Sequence, residues 1–93
     1  MDEHETLFEQ FEQFYGRSRD NAALDGKTKA LIGLAVVLTG NCQPCTERRL
    51  AGAKRAGATD DEIDATLSWV MAIRAGMVQS LFRRAEVKDR RST

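Results

Sequence analysis

The sequence predicts an all-α fold, and three observations carry that prediction. Apolar residues recur at helical spacing along most of the 93 residues. No run alternates apolar and polar residues as a half-buried strand would, and β-branched residues do not cluster between turns. Helix start and stop signals fall at the ends of the periodic stretches, most clearly at Thr59-Asp60-Asp61-Glu62. The expectation is one small domain spanning residues 1–93, built from four to six helices joined by short loops, with no internal repeat and no low-complexity segment.

The first helix is expected over residues 3–16. Leu7, Phe8, Phe11, Phe14 and Tyr15 form an aromatic stripe, with Glu9, Gln10, Glu12 and Gln13 between them. Gly16 suits its stop, and the stretch to Gly26 reads as a connector ending in the turn signal Asp25-Gly26. The second helix, residues 27–39, begins polar and becomes apolar all round, the pattern of a helix buried on every side. Asn41 is a favourable N-cap for the third helix, with Pro44 in its first turn where a missing N–H costs nothing. Gly57 suits the C′ position that closes it, and Lys54 and Arg55 complement the dipole there. The fourth helix opens on the capping box Thr59–Glu62. It carries Ile63, Leu67, Val70, Met71, Met77, Val78 and Leu81 on one stripe, widened by Trp69 and Ile73. It is expected to run to about Ala85, with a break allowed at Gly76 and a frayed charged tail after it. The aromatic stripe, Trp69, Met71 and Met77 read as core or subunit interface; Arg74 lies on the apolar face, and the Arg pairs at 83–84 and 90–91 read as a solvated helix end.

Composition narrows the function classes. Fourteen Lys and Arg balance fourteen Asp and Glu. That argues against a nucleic-acid footprint and leaves association between copies unopposed by charge. The acidic first residues carry no secretory signal, and the longest apolar run, Ala30 to Leu38, falls well short of the roughly 20 residues that span a bilayer. The expectation is a cytoplasmic protein with no membrane partner, in a compartment where structural disulfides are rare.

Against that background the stretch TGNCQPCTERRL, residues 39–50, holds both cysteines of the chain. With Asn41 as N-cap, Cys42 is the first helical residue and Cys45 the fourth. The free N–H groups and the positive dipole end beside them favour thiolate. Their i, i+3 spacing puts both sulfurs on one face, within reach of each other. Arg49, four residues after Cys45, shares that face and can hold a thiolate by charge, though a guanidinium cannot act as a base. A redox couple, half of a metal site shared between subunits, and two thiols sharing a core all remain open. The only histidine, His4, is distant in sequence, and a zinc site needs four ligands. A thioredoxin-like arrangement needs a strand before the pair, and the segment there reads as helix.

Three stretches in order, KTKALIGLAV (27–36), CQPC (42–45) and AKRAGATDDEI (53–63), resemble the carboxymuconolactone decarboxylase family, and within it the AhpD-like alkylhydroperoxidases. The resemblance covers about residues 22–82, the core of such a domain. It implies an AhpD-like helical domain assembled as a homo-oligomer, commonly a trimer or hexamer. It implies a Cys42–Cys45 pair that cycles between dithiol and disulfide while reducing a hydroperoxide or taking electrons from a lipoyl-bearing or other thiol donor. Cys45 would attack or be attacked, with Cys42 as its partner, and no cofactor is required. The family's decarboxylases lack such a pair, which argues against decarboxylation. The sequence departs from the family's proton relay at two positions: Ala30 stands where the relay has Glu, and Arg49 where it has His. General acid–base help is worth roughly 10²–10⁴-fold, so a weak hydroperoxidase is expected. His4 and Glu47 are the stand-ins that can be named, and each reads more simply as a solvated residue. The readings from other classes are a non-catalytic helical oligomer and a redox sensor whose disulfide alters an interface.

Overall fold

The computed structural model describes residues 4–92 and contains, among them, four helices and no strand. They are α1 (Leu7–Asp20), α2 (Gly26–Thr39), α3 (Gln43–Arg55) and α4 (Asp60–Ser92). The all-α expectation stands, at the lower end of the predicted helix number.

Each start has a local cause. Thr6 caps α1, its hydroxyl accepting from the Glu9 N–H at 3.1 Å. Asp25 caps α2, accepting from the Thr28 N–H at 2.7 Å, and that bond holds its carboxyl below the usual carboxylate range. The capping box before α4 is formed in both directions: the Thr59 N–H donates to Glu62 Oε1 at 2.8 Å and the Glu62 N–H to Thr59 Oγ1 at 3.1 Å. At the end of α3, Gly57 adopts φ 93°, the left-handed conformation that glycine takes without a Cβ penalty. The Ala58 N–H then reaches the Ala53 carbonyl and the Gly57 N–H that of Lys54, the paired bonds of a Schellman motif.

Two boundaries differ from the sequence reading. α1 does not stop at Gly16 but continues to Asp20; residue 3, where it was expected to begin, lies outside the described residues. A glycine ends a helix where the chain turns left-handed, and Gly57 alone among the described glycines has positive φ. Arg17 and Arg19 favour the extended last turn by facing the dipole's negative end. Likewise α4 passes Gly76 and Ala85 without a break and reaches Ser92. One glycine costs about 1 kcal/mol relative to alanine, less than a long helix can absorb. No proline interrupts the segment, and Glu86 stands four residues before Arg90 in the favourable order.

α2 is the hub. It packs against α3 and, less extensively, against the first half of α4, while α1 has no comparable packing. The lysines of the Lys27-Thr28-Lys29 motif tie the other helices to it. Lys27 Nζ meets Glu62 Oε2 at 2.8 Å, and Lys29 Nζ donates to the Arg19 carbonyl at 2.6 Å, at the C-terminal end of α1. The core this makes is small: Leu34 and Ala53 are buried, at 3% and 0% exposure. α2 is therefore not covered on every side within one chain, and Ile32 and Val36 stand exposed.

Candidate functional site

The α2–α3 turn carries the cysteines, and the structure shifts the expected cap by one residue. Asn41 does not cap α3; it takes φ 54°, a left-handed conformation that asparagine tolerates better than most residues. Spending Asn41 on the turn makes Cys42 the N-cap, extended at φ −117° and ψ 108°, with Pro44 in the first turn. Cys45 thus becomes the third helical residue instead of the fourth. The Cys42 sulfur takes the position that a Ser or Asn side-chain oxygen would occupy, accepting from the Cys45 N–H at 3.3 Å. The Cys42 carbonyl accepts from the Thr46 N–H at 3.0 Å and from Thr46 Oγ1 at 2.8 Å, so the cap is fastened on both sides.

Cys42 and Cys45 are joined as a disulfide, with their Cα atoms 5.3 Å apart. Both are half-buried, accessible to a small reagent while resting on the helix start. Pro44 brings no N–H to this helix start, but the Cys45 N–H already on the Cys42 sulfur and the dipole's positive end favour negative charge there, so a sulfur released by reduction is released into a site suited to thiolate.

Arg49 follows Cys45 by one turn and lies across α2. A Cβ built on Gly33 would stand 3.2 Å from Arg49 Cδ and 3.3 Å from Nη1. The guanidinium stem therefore rests in the gap that the missing Gly33 side chain leaves. Ala30, one turn earlier on α2, is of the same small-residue kind and holds no titratable group. Of the two proposed stand-ins for a proton relay, Glu47 lies exposed on α3 and His4 precedes α1, away from this turn in the chain order. Among the described residues no group of three or more His, Cys, Asp or Glu gathers as a metal site would require. Also among the described residues, no helix is long and apolar enough to cross a membrane.

The structure thus brings Cys42 and Cys45 together and sets Arg49 on the adjoining helix face. Sequence reasoning missed two features. The capping role of Cys42 was hidden because asparagine is both a good cap and a good left-handed residue. The bed for Arg49 had a signal: Gly33, a glycine inside an otherwise apolar helix, which marks close approach of a neighbour.

Comparison with known proteins fits this geometry. The sequence pattern of the carboxymuconolactone decarboxylase family matches residues 5–86. A protein described as "Uncharacterized protein 4 in cox locus", from Paracoccus denitrificans, is 44% identical over 57 residues, 60% of this chain. The chain spans about half the length of that relative, the match covering 50% of it. A crystal structure of a protein from Methanobacterium thermoautotrophicum superposes with a TM-score of 0.74 at 28% identity, covering 89% of this chain and 95% of that one. The chain belongs to the carboxymuconolactone decarboxylase family, and its fold is that of an AhpD-like helical domain.

Proposed function

We propose that this member of the carboxymuconolactone decarboxylase family is a thiol–disulfide redox protein of the AhpD-like type, working in the cytoplasm through the Cys42–Cys45 pair. The observation that carries the reading is the disulfide itself, closed within the first turn of α3 with the cap N–H of Cys45 on the Cys42 sulfur. In the reducing half-reaction a donor thiolate attacks one sulfur of the pair and expels the other. A second donor thiol resolves the mixed disulfide, so two electrons enter the protein and a donor disulfide leaves. A dithiol donor such as a lipoyl group fits this stoichiometry with both thiols on one molecule. In the oxidising half-reaction a thiolate of the pair attacks the terminal oxygen of an alkyl hydroperoxide. The O–O bond breaks, the terminal oxygen stays on sulfur as a sulfenic acid, the alkoxide is protonated and leaves as the alcohol, and the partner thiol displaces water from the sulfenic acid to close the disulfide.

The protonation is the weak step here. Ala30 carries no proton, and Arg49 keeps its own at neutral pH. Solvent must supply it, which sets hydroperoxide reduction below that of a relay-bearing relative by up to roughly 10²–10⁴-fold and leaves disulfide exchange as the faster chemistry. Arg49 contributes charge to the developing thiolate, not proton transfer.

Assembly into a homo-oligomer, a trimer or hexamer by the family resemblance, belongs to the same reading. The chain exposes 7808 Å² for a mass of 10.4 kDa, where a compact monomer of that mass exposes about 5,400 Å². Its radius of gyration is 18.8 Å against about 12 Å for a compact chain of this length. The excess is of the size that permanent interfaces bury, and the exposed side chains include Phe8, Phe14, Trp69 and Phe82.

The test is intact mass after full reduction and brief exposure to an alkyl hydroperoxide near neutral pH. Loss of two hydrogens, reversed by a dithiol, is expected, as is loss of peroxide consumption in the Cys42→Ser/Cys45→Ser double variant. Thiols that stay reduced over many minutes, or a double variant that consumes peroxide at the full rate, would refute it.

A further inference from the structure

We propose that Arg49, bedded on Gly33, is the substrate-recognition residue of the pair, and that it selects thiols and disulfides bearing a carboxylate near the reacting sulfur. The inference rests on the redox reading above and adds a substrate class to it.

Three observations carry it. The first is placement: Arg49 follows Cys45 by four residues on α3, so its stem rises from the face that carries the attacked sulfur. The second is the bed. Arg49 Cδ and Nη1 lie where a Gly33 Cβ would be crowded at 3.2 and 3.3 Å, so the side chain runs against α2 through the space a larger residue at 33 would fill. The third is charge. Arg19 pairs with Asp20 and Lys27 with Glu62, and among the described residues no carboxylate pairs with Arg49. It is also exposed. A guanidinium lying against α2, unpaired, open to solvent and rooted one helical turn from the disulfide is suited to take a carboxylate with two parallel hydrogen bonds. Arg48, its neighbour, leaves α3 the helical 100° away from Arg49.

The step balances with the thiol as the only co-reactant. A carboxylate-bearing thiolate, its carboxylate on Arg49, attacks the Cys45 sulfur and forms a mixed disulfide. The Cys42–Cys45 bond breaks and its electron pair leaves on Cys42, which solvent protonates or the α3 start retains as thiolate. A second thiolate attacks the donor's sulfur in the mixed disulfide, releasing the symmetrical donor disulfide and the Cys45 thiolate. Gly33 is a positioning residue in this scheme and touches no reactant.

The experiment compares the rate at which the oxidised protein is reduced by 3-mercaptopropionate, 2-mercaptoethanol and cysteamine, each divided by its thiolate fraction. The carboxylate thiol is expected to outrun the ammonium thiol by about tenfold at low salt, with the ratio shrinking at high salt. Arg49→Gln is expected to bring the ratio below about twofold and Arg49→Lys to restore part of it, as a charge without the planar fork should. Gly33→Val is expected to lower the ratio by displacing the Arg49 stem, and Arg55→Gln, on the last turn of α3, to leave it alone. A loss of structure would also release Arg49 and flatten the ratio, so each variant is first matched to the unmodified protein by circular dichroism, and the partial recovery in Arg49→Lys marks a lost charge rather than a lost fold. A ratio near one in the unmodified protein, or one that survives Arg49→Gln, overturns the recognition role while leaving the redox function standing. A disulfide that none of the three thiols opens overturns both.

Discussion

Around the α2–α3 turn, local bonds hold the chain: Cys42 caps Cys45, Thr46 fastens the Cys42 carbonyl, Gly57 closes α3, and Ala53 is fully covered. Along α4 the opposite holds, for every residue from Met71 to Ser92 is exposed although the helix is continuous and carries Met77, Leu81 and Phe82. The first region is specified by hydrogen bonds between near neighbours, which need only the chain itself. The second is specified by an apolar stripe with nothing of its own chain to lie on. A helix made stable mainly by packing, as most are, requires that the stripe be covered. On the proposed reading the two regions have different jobs: the chemistry falls where the chain is self-sufficient, and contact between copies where it is not.

The comparison can be broken most directly in the core. Leu34→Ala is expected to lower stability by about 2–5 kcal/mol, read by denaturant titration, because the side chain it truncates is buried within the chain. Leu81→Ala sharpens the contrast. Leu81 is exposed in the single chain, so its loss should cost less than about 0.5 kcal/mol in dilute protein and about 2 kcal/mol where copies associate. A cost that ignores protein concentration would dissolve the distinction between the two regions. Between the two Leu81 values lies Gly57→Ala, expected to cost about 1–2 kcal/mol at any protein concentration by forcing a Cβ into the left-handed region, with the melting temperature as readout.

The smallest effect concerns the joint between the regions. Hydrogen bonds from Lys27, and then from the Thr59 N–H, pull the Glu62 carboxyl down to about 2 from its ordinary 4.5. A depressed carboxyl stabilises the fold above its unfolded value and loses that contribution as pH falls through the folded one. Helicity followed by circular dichroism should therefore show a component lost between about pH 4.5 and pH 2, and Glu62→Gln should remove that component. A profile identical in the variant would mean that Lys27 and Glu62 do not couple α2 to α4 in solution.

How much of this was legible beforehand depended on whether a residue type has one use or two. Thr59 and Glu62 form a capping box and nothing else in that spacing, so the start of α4 was readable to the residue. Gly57 before Ala58 and after two basic residues had one reading, and it holds. Glycine at 16 and at 76 admitted two, a stop or a tolerated interior position, and the reading as a stop, or a break, lost in both because no left-handed residue follows. Asn41 was double-valued in the same way, and the choice moved the cap onto Cys42. The exposed face of α2 was unreadable for a different reason. An apolar helix announces that it will be buried, but not whether its own chain or another copy does the burying.

The bridge encloses very few residues. A ring that closes between i and i+3 spans a turn already shaped by Pro44, the Thr46 bonds and the α3 start, so opening it frees little of the chain. Oxidised and reduced forms are accordingly expected to share one backbone and one outer shape. A partner that feels contour alone would receive no message from the change. On the redox function proposed above, the change is expected to be legible only to a molecule that touches sulfur, which suits a carrier of electrons better than an announcer of redox state.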